Sequence, residues 1–163
     1  TGDAGRPLFM LDEAVERIRA ARGAIDRAGG GAMLVGRAEC FLVGRPDLAE
    51  TLARLQAYAN AGADCLYAPG VTTREQIAAL VEAVAPKPLN LLVGSASALT
   101  VADIAALGVR RISVGGALAR SAWGGFMRSA RMLAEQGRFD GFADAASGKD
   151  LNALFSKPGA GLS

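Results

Sequence analysis

Met33-Leu34-Val35-Gly36-Arg37-Ala38-Glu39 is a short apolar run that closes on glycine and then on charge. The pattern returns at Cys65-Leu66-Tyr67-Ala68-Pro69-Gly70, at Leu89-Asn90-Leu91-Leu92-Val93-Gly94 and at Ile112-Ser113-Val114-Gly115-Gly116. Between the runs lie stretches with helical spacing. Short buried strands alternating with amphipathic helices can pair only in parallel, and parallel sheets carry their chemistry at the strand carboxyl ends.

Working outward, Leu11, Ala14, Val15, Ile18, Ala21 and Ile25 predict a helix over 11–28 that Gly29-Gly30-Gly31 ends. Strands are expected over 33–38, 63–68, 89–93 and 109–114. The helix over 46–60 has Pro46 at its first position, Leu48, Leu52, Leu55 and Ala59 on one face, and Gly62 as its stop. Thr72-Thr73-Arg74-Glu75 has capping-box spacing, with Thr72 as N-cap, and opens a helix that Pro86 and Pro88 close. Thr100 and Asp103 repeat the box before a short helix ending at Gly108, and the longest helix covers 117–136. Leu151–Phe155 adds a turn or two, and 156–163 is expected to be a flexible tail. The sequence pattern fits either an open doubly wound sheet or part of a (β/α)8 barrel.

The chain has 163 residues, half of them apolar, and Lys plus Arg exceed Asp plus Glu by 18 to 16. Its basic residues are scattered rather than interleaved with aromatics, so no nucleic-acid partner is expected. No run approaches the roughly 20 apolar residues of a membrane span, and the expected location is the cytoplasm. Histidine is absent, which removes imidazole bases and the commonest zinc ligand. Cys40 and Cys65 stand alone and suggest neither a disulfide framework nor a zinc site.

Strand parity puts Met33, Val35, Arg37 and Glu39 on one face and the smaller set Leu34, Gly36 and Ala38 on the other, under a helix. Arg37 and Glu39 then emerge at a strand carboxyl end. They form either an anion clamp, with the guanidinium holding a carboxylate or phosphonate through two donors, or a buried structural ion pair. Tyr67 either reaches the same mouth or walls the core. Asn90 needs a partner, from the neighbouring backbone or from a ligand, and Ser95 lies just after the same strand. Gly115 and Gly116 either present free amides to an anion or make a tight turn. Arg110 and Arg111 begin the fourth strand and read as a solvated pair away from the chemistry. Trp123 and Phe126 read as packing residues, against the sheet or a neighbouring subunit.

Gly36-Arg37-Ala38-Glu39-Cys40-Phe41-Leu42 resembles the Ala-Arg-Thr-Asp-Ala or Ala-Arg-Val-Glu-Ala segment of the isocitrate lyase/phosphoenolpyruvate mutase superfamily. The segments 57–70, 87–93 and 107–120 resemble that superfamily in the same order, and the likeness covers about residues 7–155. It implies a (β/α)8 TIM barrel, this chain being its carboxyl-terminal half over 1–155 and starting after the fourth strand. It further implies a lyase or mutase that makes or breaks C–C or P–C bonds in a small 2-oxo acid or phosphonate through a Mg²⁺-stabilised enolate.

In that resemblance Arg37 is the substrate-carboxylate arginine and Glu39 its acidic partner. Tyr67, Asn90, Ser95, Gly115 and Gly116 are carried as substrate-binding candidates. The superfamily's metal carboxylates and serine-containing loop have no counterpart here, so no metal ligand is assigned and the Mg²⁺ ligands are expected outside this chain. The Lys-Lys-Cys-Gly-His loop of isocitrate lyases is absent, and Ala68-Pro69-Gly70 stands where methylisocitrate lyases carry glutamate. Half a barrel leaves sheet edges open, so the chain is expected either to be one piece of a longer or nicked polypeptide or to associate with itself as a homo-oligomer, and the chain alone is expected to be inactive. The alternative is a non-catalytic half-barrel for oligomerisation or anion binding.

Overall fold

The structure, a computed structural model, describes residues 1–156, and the chain forms two compact units, Thr1–Gly115 and a second from Gly116 onward. The first unit runs α1 (Leu11–Ala28), β1 (Val35–Arg37), α2 (Leu48–Asn60), β2 (Cys65–Tyr67), α3 (Arg74–Val84), β3 (Leu89–Leu92), α4 (Val101–Ala106) and β4 (Arg111–Ser113). All strand pairs are parallel and the spatial order is β1-β2-β3-β4. Strands in chain order, with no reversal, are the arrangement of a barrel sector; a doubly wound sheet has a switch point where the order turns back.

The helix side of the sheet forms the core. Leu55 of α2, Leu66 of β2, Ile77 and Leu80 of α3 and Leu89 of β3 are fully buried there. Each such side chain contributes roughly 1.5–3 kcal/mol by leaving water. Gly36 is what allows α2 to lie close: a Cβ at this position would stand 3.0 Å from Tyr58 Cβ and 3.1 Å from Ala63 Cβ. The predicted parity is therefore observed, with Gly36 toward the helices and Val35 and Arg37 on the face turned away from them.

The strands are shorter than the apolar runs. Leu34, before β1, accepts at its C=O from Asp64 N–H at 2.8 Å, and its own N–H donates to Asp64 Oδ2 at 2.7 Å while Arg22 Nη1 meets the same oxygen at 3.0 Å. The Leu34 amide and the Arg22 guanidinium hold the Asp64 carboxyl below its ordinary range. This joins α1 to the amino-terminal ends of β1 and β2, opposite the carboxyl-end mouth.

Two helix starts differ from expectation. The cap of α2 is Asp47, which accepts from Glu50 N–H at 3.0 Å, so Pro46 lies outside the helix. The cap of α3 is Thr73, accepting from Gln76 N–H at 3.3 Å, one residue beyond Thr72. At α4 the box of Thr100 and Asp103 is closed in both directions, as predicted.

The second unit begins with α5 (Ala117–Gln136), over its predicted span, continues through a 3-10 turn at Asp140–Phe142, and ends in α6 (Gly148–Ser156). Ser156, expected in the tail, closes α6, and 157–163 lie outside the described residues. No residue of α5 or α6 is buried. No helix among the described residues is long and apolar enough to cross a membrane.

Candidate functional site

The carboxyl end of β1 is where the sequence places its charged pair, and the structure brings three predicted residues together there. Arg37 is the last residue of β1, and the ladder extends one step beyond it through Ala38 N–H to Tyr67 C=O at 2.9 Å. The chain then turns, with Leu42 N–H donating to Glu39 C=O at 2.9 Å. Glu39 Oε1 pairs with Arg37 Nε. The Arg37 guanidinium carbon lies 5.2 Å from the centre of the Tyr67 ring, within reach of a cation–π attraction. The side chains of Arg37 and Glu39 are 46% and 38% exposed, so this is an open ion pair at a mouth and not a buried structural one.

That geometry leaves a usable fork. Glu39 pairs at Nε and the Tyr67 ring lies beside the guanidinium carbon, while among the described residues the terminal nitrogens remain to grip an anion through parallel hydrogen bonds. The turns carrying the mouth are packed on one another at Gly70, whose φ of 94° suits only glycine and whose added Cβ would meet Phe41 Cβ at 2.8 Å.

Register places Arg37 beside Tyr67, Tyr67 beside Asn90 and Asn90 beside Arg111, so one row crosses all four strands on the face away from the helices. Asn90 is 1% exposed, and both ends of its amide are engaged. Arg111 Nη1 donates to Asn90 Oδ1 at 2.9 Å, and Asn90 Nδ2 donates to Ser113 Oγ at 2.9 Å. The partner that Asn90 needs is thus supplied by the side chains of the next strand.

Arg111 is exposed, as a solvated residue should be, but it does not stand apart from the candidate site: its guanidinium joins the polar row through Asn90. Sequence reasoning passed over both Arg111 and Ser113. Their spacing of two puts them on one face, but only the β3–β4 register shows that Asn90 shares it. Cys65, on the same face one pair below Tyr67, is 3% exposed, and burial pushes its thiol up, so it stays a protonated packing group.

Ser95 lies apart from the Arg37 group, lining a 340 Å³ cavity beneath the loop after β3 with Val71, Thr72, Leu91, Val93 and Leu99. Gly115 ends the first unit with φ 52°, and Gly116 caps α5 in the second, accepting from Arg120 N–H at 2.9 Å. Among the described residues no three of His, Cys, Asp and Glu gather to hold a metal ion. Glu39, the acidic side chain of this mouth, is already committed to Arg37, so the described residues do not fit a Mg²⁺ shell of their own.

Comparison with known proteins gives this arrangement its relatives. A Burkholderia cenocepacia J2315 structure assigned as a lyase/mutase superposes with a TM-score of 0.91 at 45% identity, covering 97% of this chain and 57% of that one. Oxaloacetate acetylhydrolase bound to the inhibitor 3,3-difluorooxalacetate superposes with a TM-score of 0.76 at 29% identity, covering 90% of this chain and 50% of the other. An oxaloacetate decarboxylase from Paraburkholderia xenovorans (strain LB400) is 36% identical over 112 residues, 68% of this chain and 35% of its own length. The chain thus spans about half the length of the solved structures, or less of the curated relative. The phosphoenolpyruvate phosphomutase family profile matches residues 1–134, and with its parallel βα units of TIM-barrel type the chain belongs to that family, within the phosphoenolpyruvate mutase/isocitrate lyase superfamily.

Proposed function

We propose that this chain carries the substrate-anion clamp of a lyase or mutase acting on a small 2-oxo acid, with oxaloacetate the first candidate. The observation that carries the reading is the half-open Arg37 guanidinium, paired at Nε by Glu39, close to the Tyr67 ring, and free at its terminal nitrogens among the described residues. The relatives named for oxaloacetate chemistry support the substrate class.

In this reading Arg37 binds the substrate carboxylate, and its charge also stabilises the enolate that develops as a C–C or P–C bond breaks. Glu39 fixes the orientation of the fork and is the acid/base group closest to it. Tyr67 limits the guanidinium to one plane. Asn90 sets the floor of the mouth. Gly115, at the end of β4, and Ser95, beside its cavity, are retained as candidates for contacts farther along the substrate. The described residues build no metal shell, so no step here runs through Mg²⁺ and the chain is read as part of a site. We extend the proposal to self-association of the chain, from the apolar side chains that the second unit exposes.

The same lack of a metal-ligand group favours a second reading, a non-catalytic module for oligomerisation or anion binding. Turnover of oxaloacetate and of phosphonopyruvate, with and without Mg²⁺, separates the two. Turnover by the isolated chain defeats the module, and turnover unchanged by Arg37→Ala defeats the assignment of the clamp.

A further inference from the structure

Asn90 is an amide whose orientation the structure decides. A guanidinium has only donors, so the group facing Arg111 Nη1 at 2.9 Å must be the carbonyl oxygen. The NH₂ end is thereby forced toward Ser113, 2.9 Å away. A hydroxyl that accepts from this NH₂ keeps its own proton to donate. Among the described residues no acceptor takes that proton, while the backbone C=O of Ser113 is already satisfied by Val93 N–H at 2.8 Å.

Position gives the free proton a use. Ser113 is registered with Leu92, one same-face step closer to the strand carboxyl ends than the Asn90–Arg111 pair, and it is only partly buried where Asn90 is sealed. It shares the face of Arg37, three strands across at about 4.8 Å each and two residues farther along at about 3.3 Å each, a flat separation of roughly 16 Å. A cationic fork on one side and a neutral donor on the other suit a small substrate with oxygen acceptors at both ends.

We propose that Ser113 is a substrate-contacting hydrogen-bond donor, and that Arg111 is a positioning residue that aims it through the Asn90 amide. The proposal rests on the reading of Arg37 as an anion clamp and adds the opposite wall of that site. Only the outer hydroxyl touches substrate; Arg111 and Asn90 act by fixing which partner holds which proton.

Oxalate, a compact dicarboxylate, is the probe, titrated into the full chain by calorimetry. Ser113→Ala is expected to weaken oxalate about tenfold, the loss of one hydrogen bond to a charged ligand. Ser113→Thr, which keeps the hydroxyl, is expected to restore affinity. Arg111→Met should cost the same factor as Ser113→Ala, and the double variant no more than either. Additive losses overturn the relay. In the wild type the Asn90 side-chain NH₂ resonances should shift on adding oxalate and should fail to shift in Ser113→Ala, a measurement that does not depend on the Arg111 variant folding; no shift in the wild type overturns the proposal. Arg37→Ala is the control. If it weakens oxalate while Ser113→Ala does not, the Ser113 assignment alone fails. Unchanged binding in Arg37→Ala, or no binding by the wild type, removes the clamp reading and this proposal together.

Discussion

At the scale of the residue, the difference between Arg37 as a fork and Arg37 as a charge can be measured. Arg37→Lys keeps the charge but loses the planar pair of terminal donors that the guanidinium holds beside Tyr67. Where oxaloacetate turnover is reconstituted, Arg37→Ala is expected to lower kcat/KM by at least about a hundredfold, the scale of losing a preorganised charged donor at developing negative charge. Arg37→Lys should fall between it and the wild type. A lysine variant equal to the wild type would mean that charge alone suffices and that the pairing with Glu39 orients nothing. Gly36 gives the stability counterpart. An added methyl 3.0–3.2 Å from Tyr58, Ala63 and Leu66 has nowhere to go, so Gly36→Ala should cost about 1–3 kcal/mol in denaturant unfolding. The loss should occur without direct contact with the clamp, and a variant of wild-type stability would show that α2 yields freely.

At the scale of the element, α4 has six residues and depends on its ends. Asp103 accepts from Thr100 N–H and from Thr100 Oγ1 on one side and pairs with Arg74 at 2.9 Å on the other. Hydrogen bonds from Thr100, then Arg74, hold the Asp103 carboxyl far below its ordinary range. A carboxyl with a lowered folded pKa contributes stability that is fully present above the unfolded value, about 3.9, and lost as pH falls toward the folded value. The protection factors of the α4 amides, each taken against the intrinsic exchange rate at that pH, should therefore fall below about pH 4 in the wild type, and Asp103→Asn should flatten that dependence. Equal pH profiles for the two proteins would refute the assignment. Thr100 was legible from the sequence because a capping box is a local device written in four adjacent residues. At α3 two consecutive threonines offered the same device, and Thr73 rather than Thr72 takes it. Strand parity was legible for the same local reason, and with it the Arg37–Glu39 mouth. The row from Arg37 to Arg111 was not, because it depends on three interstrand registers across 74 positions of chain, from 37 to 111, and local alternation carries no register between separate strands.

At the scale of the whole molecule, the two units differ in what they bury. The first closes a core between its sheet and helices, yet its edge strands β1 and β4 are three residues each, short enough to limit indiscriminate pairing. The second contains a twenty-residue helix without one buried side chain. Leu118, Trp123 and Phe126 on α5 and Leu154 and Phe155 on α6 are all more than 60% exposed, and Trp123 and Phe126 stack edge to face at 5.3 Å. Apolar surface on this scale marks an interface more often than a solvated wall. A second copy of the chain is the partner we expect, since two amphipathic helices of the same sequence can cover one another by two-fold symmetry with no further component. Sedimentation equilibrium should then give a mass that rises with concentration above the 16.6 kDa of one chain. Trp123→Glu together with Phe126→Glu should return it to that value without disturbing the first unit, read from the unchanged exchange protection of β2 and β3. A wild-type chain that sediments as a monomer across the range would sink the self-association proposal, and would leave the exposed face of α5 without the partner argued for it.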